Sequence, residues 1–217
     1  MSVLDAAGRV LSSARVPLRP YHSPAPGRWE HPDDDLWDSV ALATRCALDG
    51  FPGDVTRIVG VGLCTIRFCR ALLREDGGLA QPVMSWMDER VARPHEQRDR
   101  VAWVTTSSGY LGHRLTGRRR DAAGNYQGMW PIDVARWAWS EDSEAYRACG
   151  MRREQLFELV EPGGVLGEVT PEASRLTGLP VGVPVVATSN DKAVEALGAG
   201  LRGDDRVLLS LGTYIAA

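Results

Sequence analysis

The sequence predicts an α/β layer architecture, and three observations carry that prediction. Short apolar runs rich in β-branched residues, such as VTRIVGVGL and VGVPVVATSN, alternate with segments whose apolar residues recur at helical spacing. Two further pairs of β-prone runs flank glycine-bearing turns, the mark of hairpins. No internal repeat or low-complexity tract interrupts this alternation.

In chain order, VLDAAGRVLSSARVPL reads as an opening hairpin, with Gly8 free to take the positive φ its turn needs. A Pro-rich loop leads to DDDLWDSVALATRCALDG, where Trp37, Val40, Ala41, Thr44, Ala47 and Leu48 share one helical face. Three aspartates load the first turn, and Gly50 suits a left-handed C-terminal position. The nearly continuous apolar run from Val55 to Leu63 predicts a central strand covered on both faces. FCRALLRED and LAQPVMSW flank Asp76-Gly77-Gly78 as a second hairpin. Beyond Asp88 the pattern turns helical: over Tyr110 to Leu115, over PIDVARWAW with Pro131 at the helix start, and over REQLFELV. EPGGVLGEVT predicts turn plus strand, PEASRLTGL a short helix between Pro171 and Gly178, and VGVPVVATSN a buried strand. DKAVEALGAG predicts a helix of small residues and DRVLLSLGT a final strand.

At 217 residues, 44% hydrophobic and 24% charged, the chain has the composition of a soluble globular protein. Its formal net charge of −3 gives no electrostatic case for nucleic acid or an anionic membrane, and the basic knot RRR at 118–120 reads as a solvated loop. No apolar run approaches the ~18 residues of a membrane span and no signal peptide opens the chain, so a cytoplasmic location is expected. The four cysteines form no C-x-x-C pair and the four histidines lie at no metal-ligand spacing beside them, so no protein-held metal is expected. Seven tryptophans imply thick aromatic packing or a surface that stacks on a sugar ring.

Three places carry chemistry. Asp191 follows an apolar strand at a strand-to-helix junction, where α/β sheets receive ligands. It reads either as a cleft carboxylate or as the N-cap of the helix that follows. Trp86, Asp88 and Arg90 alternate after a hairpin strand, so an ion pair under an aromatic plate is open there, structural or functional. Arg67 lies just past a predicted strand, with a donor fork suited to hydroxyls or carboxylates.

Taken in order, several blocks resemble the FGGY family of carbohydrate kinases: VLDAAGRVL, GRWEHPDDDLWDSV, IVGVGLCTIRFCRALLREDGGLAQPVMSWMDERV, YLGHRLTG, VEPGGVLGEVTPEASRLTGLPVGVPVVATSNDKAVEALGAG and LLSLGT. The resemblance implies an actin-like ATPase (ribonuclease H-like) fold, here its first domain without the opening strand. It implies transfer of the ATP γ-phosphate, with Mg2+, to a hydroxyl of a ketose, a pentulose favoured, or of a polyol. By it Asp191 matches the base that takes the hydroxyl proton. Arg67, Trp86, Asp88, Asn125, Tyr126 and Asn190 match or neighbour substrate-binding positions, and Gly212 and Thr213 match the phosphate-binding Gly-Thr element. Phe68 stands where relatives carry histidine or glutamate, and Tyr214 where serine is usual.

The resemblance further implies that residues 1–205 are a partial sugar-binding domain and 206–217 the start of an ATP-binding domain. The Asp-x-Gly-Thr phosphate loop of the family and a longer stretch between Arg90 and Tyr110 are not found in this sequence. The isolated chain is therefore expected to turn over no ATP. A non-catalytic sugar-binding or interaction module is the competing expectation, and assembly with copies of itself is left open.

Overall fold

Gly8 takes a φ of 78°, and the runs on either side pair antiparallel as β1 (Ser2–Leu4) and β2 (Val10–Ser13). The structure, a computed structural model, describes residues 1–203, 207–208, 210–211 and 215–216. Helix α1 (Asp35–Asp49) buries Trp37, Ala41, Thr44, Ala47 and Leu48, with Val40 half-buried beside them. Asp34 does not cap this helix with its side chain. It pairs instead with Arg114 and accepts the Tyr110 hydroxyl, tying α1 to a later helix.

Gly50 corrects the expected left-handed cap, since it lies at φ −85°. Its N–H bonds the Cys46 carbonyl and that of Phe51 bonds the Leu48 carbonyl, so the last turn closes without a left-handed residue. The strand predicted from Val55 starts later, as β3 (Val61–Thr65). Val55–Arg57 forms a 3-10 turn because the Asp54 carboxylate accepts from Thr56 N.

Strand β4 (Ala71–Leu73) reverses at Asp76-Gly77-Gly78, where Gly77 has φ 82°, and returns through bridges at Leu79 and Met84. It also pairs with β5 (Trp103–Thr105). Helix α2 (Ser107–Thr116) is capped by the Thr106 side chain and stopped by left-handed Gly117. β6 (Arg120–Ala122) follows.

PIDVARWAW is not a helix but a hairpin of β7 (Ile132–Asp133) and β8 (Ala138–Trp139). The Asp133 carboxylate accepts from the amides of Ala135 and Arg136, and Trp137 turns at φ 51°, so local side-chain bonding overrides helical spacing. After α3 (Ser143–Cys149), REQLFELV is likewise not helical beyond a single turn at Arg153–Gln155. It becomes β9 (Glu158–Val160), which pairs parallel with β6. Then come β10 (Val165–Glu168), α4 (Pro171–Thr177) closed by Gly178 at φ 78°, β11 (Pro184–Asn190) and α5 (Asp191–Gly198). A small pair, β12 (Ser210–Leu211) with β13 (Ile215–Ala216), ends the description. Of the strand expected over DRVLLSLGT, the described residues include β12, and Gly212 and Thr213 lie outside them.

The sheet that positions the site runs β10-β11-β3, antiparallel then parallel. β11 is therefore its central strand, and β3, expected there, is an edge among the described residues. Two apolar clusters hold the layers. One joins Trp37, Leu48, Val61, Tyr110, Leu115, Leu166 and Val185 between sheet and helices. The other gathers Leu72, Met84, Val104, Tyr126, Trp130 and Trp139 around edge-on aromatic contacts of 4.8 and 4.9 Å. The basic knot is partly occupied: Arg119 lies 4.0 Å over Trp103, and Arg120 pairs with Glu158 at 2.9 Å. No helix of the described residues is long and apolar enough to cross a membrane.

Candidate active site at the ends of two parallel strands

Because β3 and β11 run parallel, with Thr65 opposite Asn190, the residues that follow both strands emerge at the same edge of the sheet. That edge is where open α/β sheets bind ligands. A cavity of about 60 Å3 opens there, lined by Ile66, Arg67, Phe68, Trp86, Asp191 and Lys192. The site brings together Arg67, Trp86 and Asp191 from three separate stretches of sequence.

Asp191 is the first residue of α5, and the cap is its neighbour. Asn190 Oδ1 accepts from Ala193 N at 3.2 Å, while its Nδ2 donates to the Gly124 carbonyl at 3.1 Å. The capping role open to Asp191 is thus filled by Asn190. Asp191 Oδ1 is buried and has no hydrogen-bond partner among the described residues. A buried acceptor left unmet is costly, and such groups mark places where a ligand completes the bonding. Lys192 beside it pairs with Glu195 at 3.0 Å.

Phe68 adopts φ 71°, which a bulky side chain takes only when its surroundings enforce it. Arg67 donates to Gln127 Oε1 at 3.1 Å, and its guanidinium lies 5.1 Å from the Phe68 ring. Burial pushes the Cys69 thiol up to about 11 and raises that of Cys64, with the nearby Asp191 charge adding to both. These thiols stay protonated at neutral pH and offer no nucleophile.

Asp88, Asn125 and Tyr126 do not line this cavity. Asp88 is buried and fully engaged, accepting from Trp29 N at 2.8 Å, from Arg90 N at 2.9 Å and from the Arg90 guanidinium at 2.6 and 2.8 Å. It fixes the loop that carries Trp86. Asn125 donates to Ser108 Oγ at 2.6 Å, and its Oδ1 is buried without a partner. The Tyr126 hydroxyl shares a hydrogen bond with Thr105 Oγ1 at 2.9 Å inside the aromatic cluster. Both are structural members of a buried layer under the site. Gly212 and Thr213 lie outside the described residues.

Two contacts beside the site have no signal in the local sequence pattern. Gln127, which orients Arg67, is 60 positions away from it, and no local pattern marks that pairing. Trp137 lies with its ring beside Gly124, which is bonded to Asn190, and it is 43% exposed. Its signal was the high tryptophan count, but the helix expected there hid its position. No cluster of three or more His, Cys, Asp or Glu that could hold a metal occurs among the described residues.

Residues 92–198 match the N-terminal domain of the FGGY family of carbohydrate kinases. Over 213 residues the chain is 49% identical to the uncharacterized sugar kinase YgcE of Escherichia coli (strain K12), covering 98% of this chain and 43% of that protein. It is 34% identical over 140 residues to xylulose kinase of the same organism, covering 63% of this chain and 27% of the relative. The crystal structure of xylulose kinase from Rhodospirillum rubrum superimposes with a TM-score of 0.79 at 22% identity, over 91% of this chain and 48% of that one. The fold is accordingly the actin-like ATPase fold of these kinases, and the chain spans less than half the length of the relatives it matches.

Proposed function

Since the chain belongs, through residues 92–198, to the FGGY family of carbohydrate kinases, we propose that it forms the sugar-binding half of a kinase that moves the ATP γ-phosphate onto a ketose or polyol hydroxyl. The observation that carries this reading is the unmet Asp191 Oδ1 at the cavity. The substrate hydroxyl oxygen attacks the γ-phosphorus, the bond from that phosphorus to the β–γ bridging oxygen breaks, and ADP departs. The hydroxyl proton passes to Asp191. Phosphoryl transfer asks little covalent chemistry of a protein, so one positioned base and a held nucleophile are its main contributions on this side. A positioned base contributes ~10²–10⁴-fold.

Trp86 and Phe68 supply an apolar wall for the C–H face of a sugar, and Arg67, steadied by Gln127, presents donors to its hydroxyls. Asn190 and Asn125 act from beneath, by holding α5 and the Gly124 segment. A pentulose is the favoured substrate, in keeping with the xylulose kinase likeness. Residues 206–217 begin the ATP-binding part, with Gly212 and Thr213 on the phosphates, and residues 1–205 form the sugar-binding domain. Mg2+ would come with the ATP phosphates, since such ions are held by one or two carboxylates together with those phosphates, and would offset the charge of the transferred group.

In a second reading, a sugar-binding module without catalysis, Arg67, Trp86 and Phe68 hold the sugar and the unmet Asp191 Oδ1 accepts a hydrogen bond from its hydroxyl without taking the proton. Thermal-shift titration of the chain with ketoses and polyols, run beside ADP release for wild type and Asp191→Asn each supplied with an ATP-binding half, separates the readings. We expect stabilisation by a ketose in both proteins and release lost ~100-fold or more in D191N. Stabilisation without release in wild type selects the second reading. Release undiminished in D191N removes Asp191 as the base.

A further inference from the structure

A second cavity, of about 300 Å3, lies apart from the sugar site, between the loop around Gly27 and the segment from Glu89 to Arg98. Its lining is dominated by arginine: Arg28, Arg70, Arg90, Arg93 and Arg98, with His95 among them. Two carboxylates, Glu89 and Glu96, share the lining, and Glu89 is taken up by Arg93 at 2.6 Å. Arg90 is committed to Asp88 and Glu30. With Glu96 and both carboxylates on Arg90 counted, a single positive charge is left over, and Arg28, Arg70 and Arg98 are the arginines without an ion pair among the described residues.

Arg70 is the unusual member. It is 2% exposed, and its terminal nitrogens donate to the carbonyls of Arg90, Val91 and Arg93 at 3.0–3.3 Å. No ion pair of the described residues includes it, and its buried Nε has no partner. Burial brings it down to about 10, so it remains charged at neutral pH. Carbonyl dipoles, the Trp130 ring at 5.8 Å and the charge of Asp88 beyond ion-pair distance meet this cation, and the direct counter-ion that normally accompanies burial is not found among the described residues. Across the same cavity His95 Nε2 is also buried without a partner. Arg98 is half-buried and bonds Gln81 at 2.6 Å, and Arg28 is exposed at the rim. Two buried nitrogens without a partner among the described residues belong to residues that line one cavity of net positive charge, the setting of a site that lacks its anion.

We propose that this cavity binds an oxyanion of a small metabolite, a phosphate monoester or a carboxylate, through charge from Arg70 and Arg98 and a hydrogen bond from His95 Nε2. The volume admits the oxyanion and a short carbon chain. The site shares one loop with the sugar cavity, because Trp86 stands at one end of the turn that carries Arg90 and Arg93.

The test is thermal-shift titration of the whole chain with inorganic phosphate, and separately with malonate, at constant ionic strength. Arg98→Gln and Arg28→Gln are the variants, because neither side chain is buried within the core, and Asp191→Asn is the control. We expect a saturable rise in Tm with at least one dianion, an apparent affinity at least fivefold weaker in R98Q, a smaller loss in R28Q and none in D191N. The tighter of the two dianions identifies the source of the oxyanion. A rise that fails to saturate with either dianion, or one of equal midpoint in wild type, R98Q and R28Q, overturns the site.

Discussion

Asp121 and Asp191 are both carboxylates brought close to the same end of the sheet, and they are treated in opposite ways. Asp121 is 0% exposed, and its oxygens accept from Thr106 Oγ1 at 2.6 Å, Ala122 N at 2.7 Å, Ser108 Oγ and, at 3.4 Å, Asn125 Nδ2. Asp191 keeps a buried oxygen with no donor among the described residues. The first acid is consumed in holding the fold. The second is held by its backbone, through the Asn190 cap, and its carboxylate is left for something else. The two are linked, because Asn190 also bonds the Gly124 carbonyl in the segment that Asp121 secures. A saturated acid therefore supports the floor on which the unsaturated one stands, and donor count separates a structural acid from a candidate base better than burial does.

The largest effect expected of this contrast lies in stability. Asp121→Ala strands the hydroxyls of Thr106 and Ser108 in a dry layer and is expected to cost about 3 kcal/mol or more in urea unfolding. Asp191→Asn is expected to change stability by no more than about 0.5 kcal/mol. A D191N loss larger than that of D121A would invert the comparison.

An intermediate effect is expected at His95, which resembles Asp191 in having a buried atom without a partner. Burial, helped by Arg70, Arg98 and Arg152, holds it down to about 4, against 6.5 for a free histidine. As pH falls below about 6.5 the unfolded chain takes up the proton first, so stability present above that pH drains away until about 4. His95→Gln should flatten this part of a stability-versus-pH curve measured by urea unfolding, and a curve unchanged by H95Q would exclude the effect. The smallest effect belongs to Phe68. Phe68→Gly and Phe68→Ala remove the same ring, but only glycine is at ease at φ 71°, so F68G should be more stable than F68A by about 1 kcal/mol.

What could be read from the sequence divides along the same line. Strand-end residues were legible: Arg67 and Asp191 sit one or two positions beyond β-branched runs, and parallel pairing of those runs brings them together. Helices α1, α2 and α4 were legible from spacing, and Gly178 marked the stop of α4. Features set by distant partners were not. Leu156 to Val160 has the spacing of a helix, yet pairing of Glu158 with Arg120 makes it a strand. The hairpin in PIDVARWAW depends on one aspartate choosing the amides two and three residues ahead. Tyr126 and Asp88 carry chemistry-bearing groups, but bonds to Thr105 and to Trp29 and Arg90 absorb them, and only coordinates reveal such occupation.

Helix α5 carries Asp191 at its first position, is fastened there by the two Asn190 bonds, and buries none of its residues. Its first turn is the part fastened to the Gly124 segment, through the Asn190 side chain. A surface pressing on its far end, where Leu197 is 61% exposed, would steer the carboxylate from roughly two turns away. If Asp191 is the base proposed above, its aim is in this way placed under the control of whatever leans on that helix, and substitutions at Leu197 should register in turnover of the complete kinase before they register in sugar affinity.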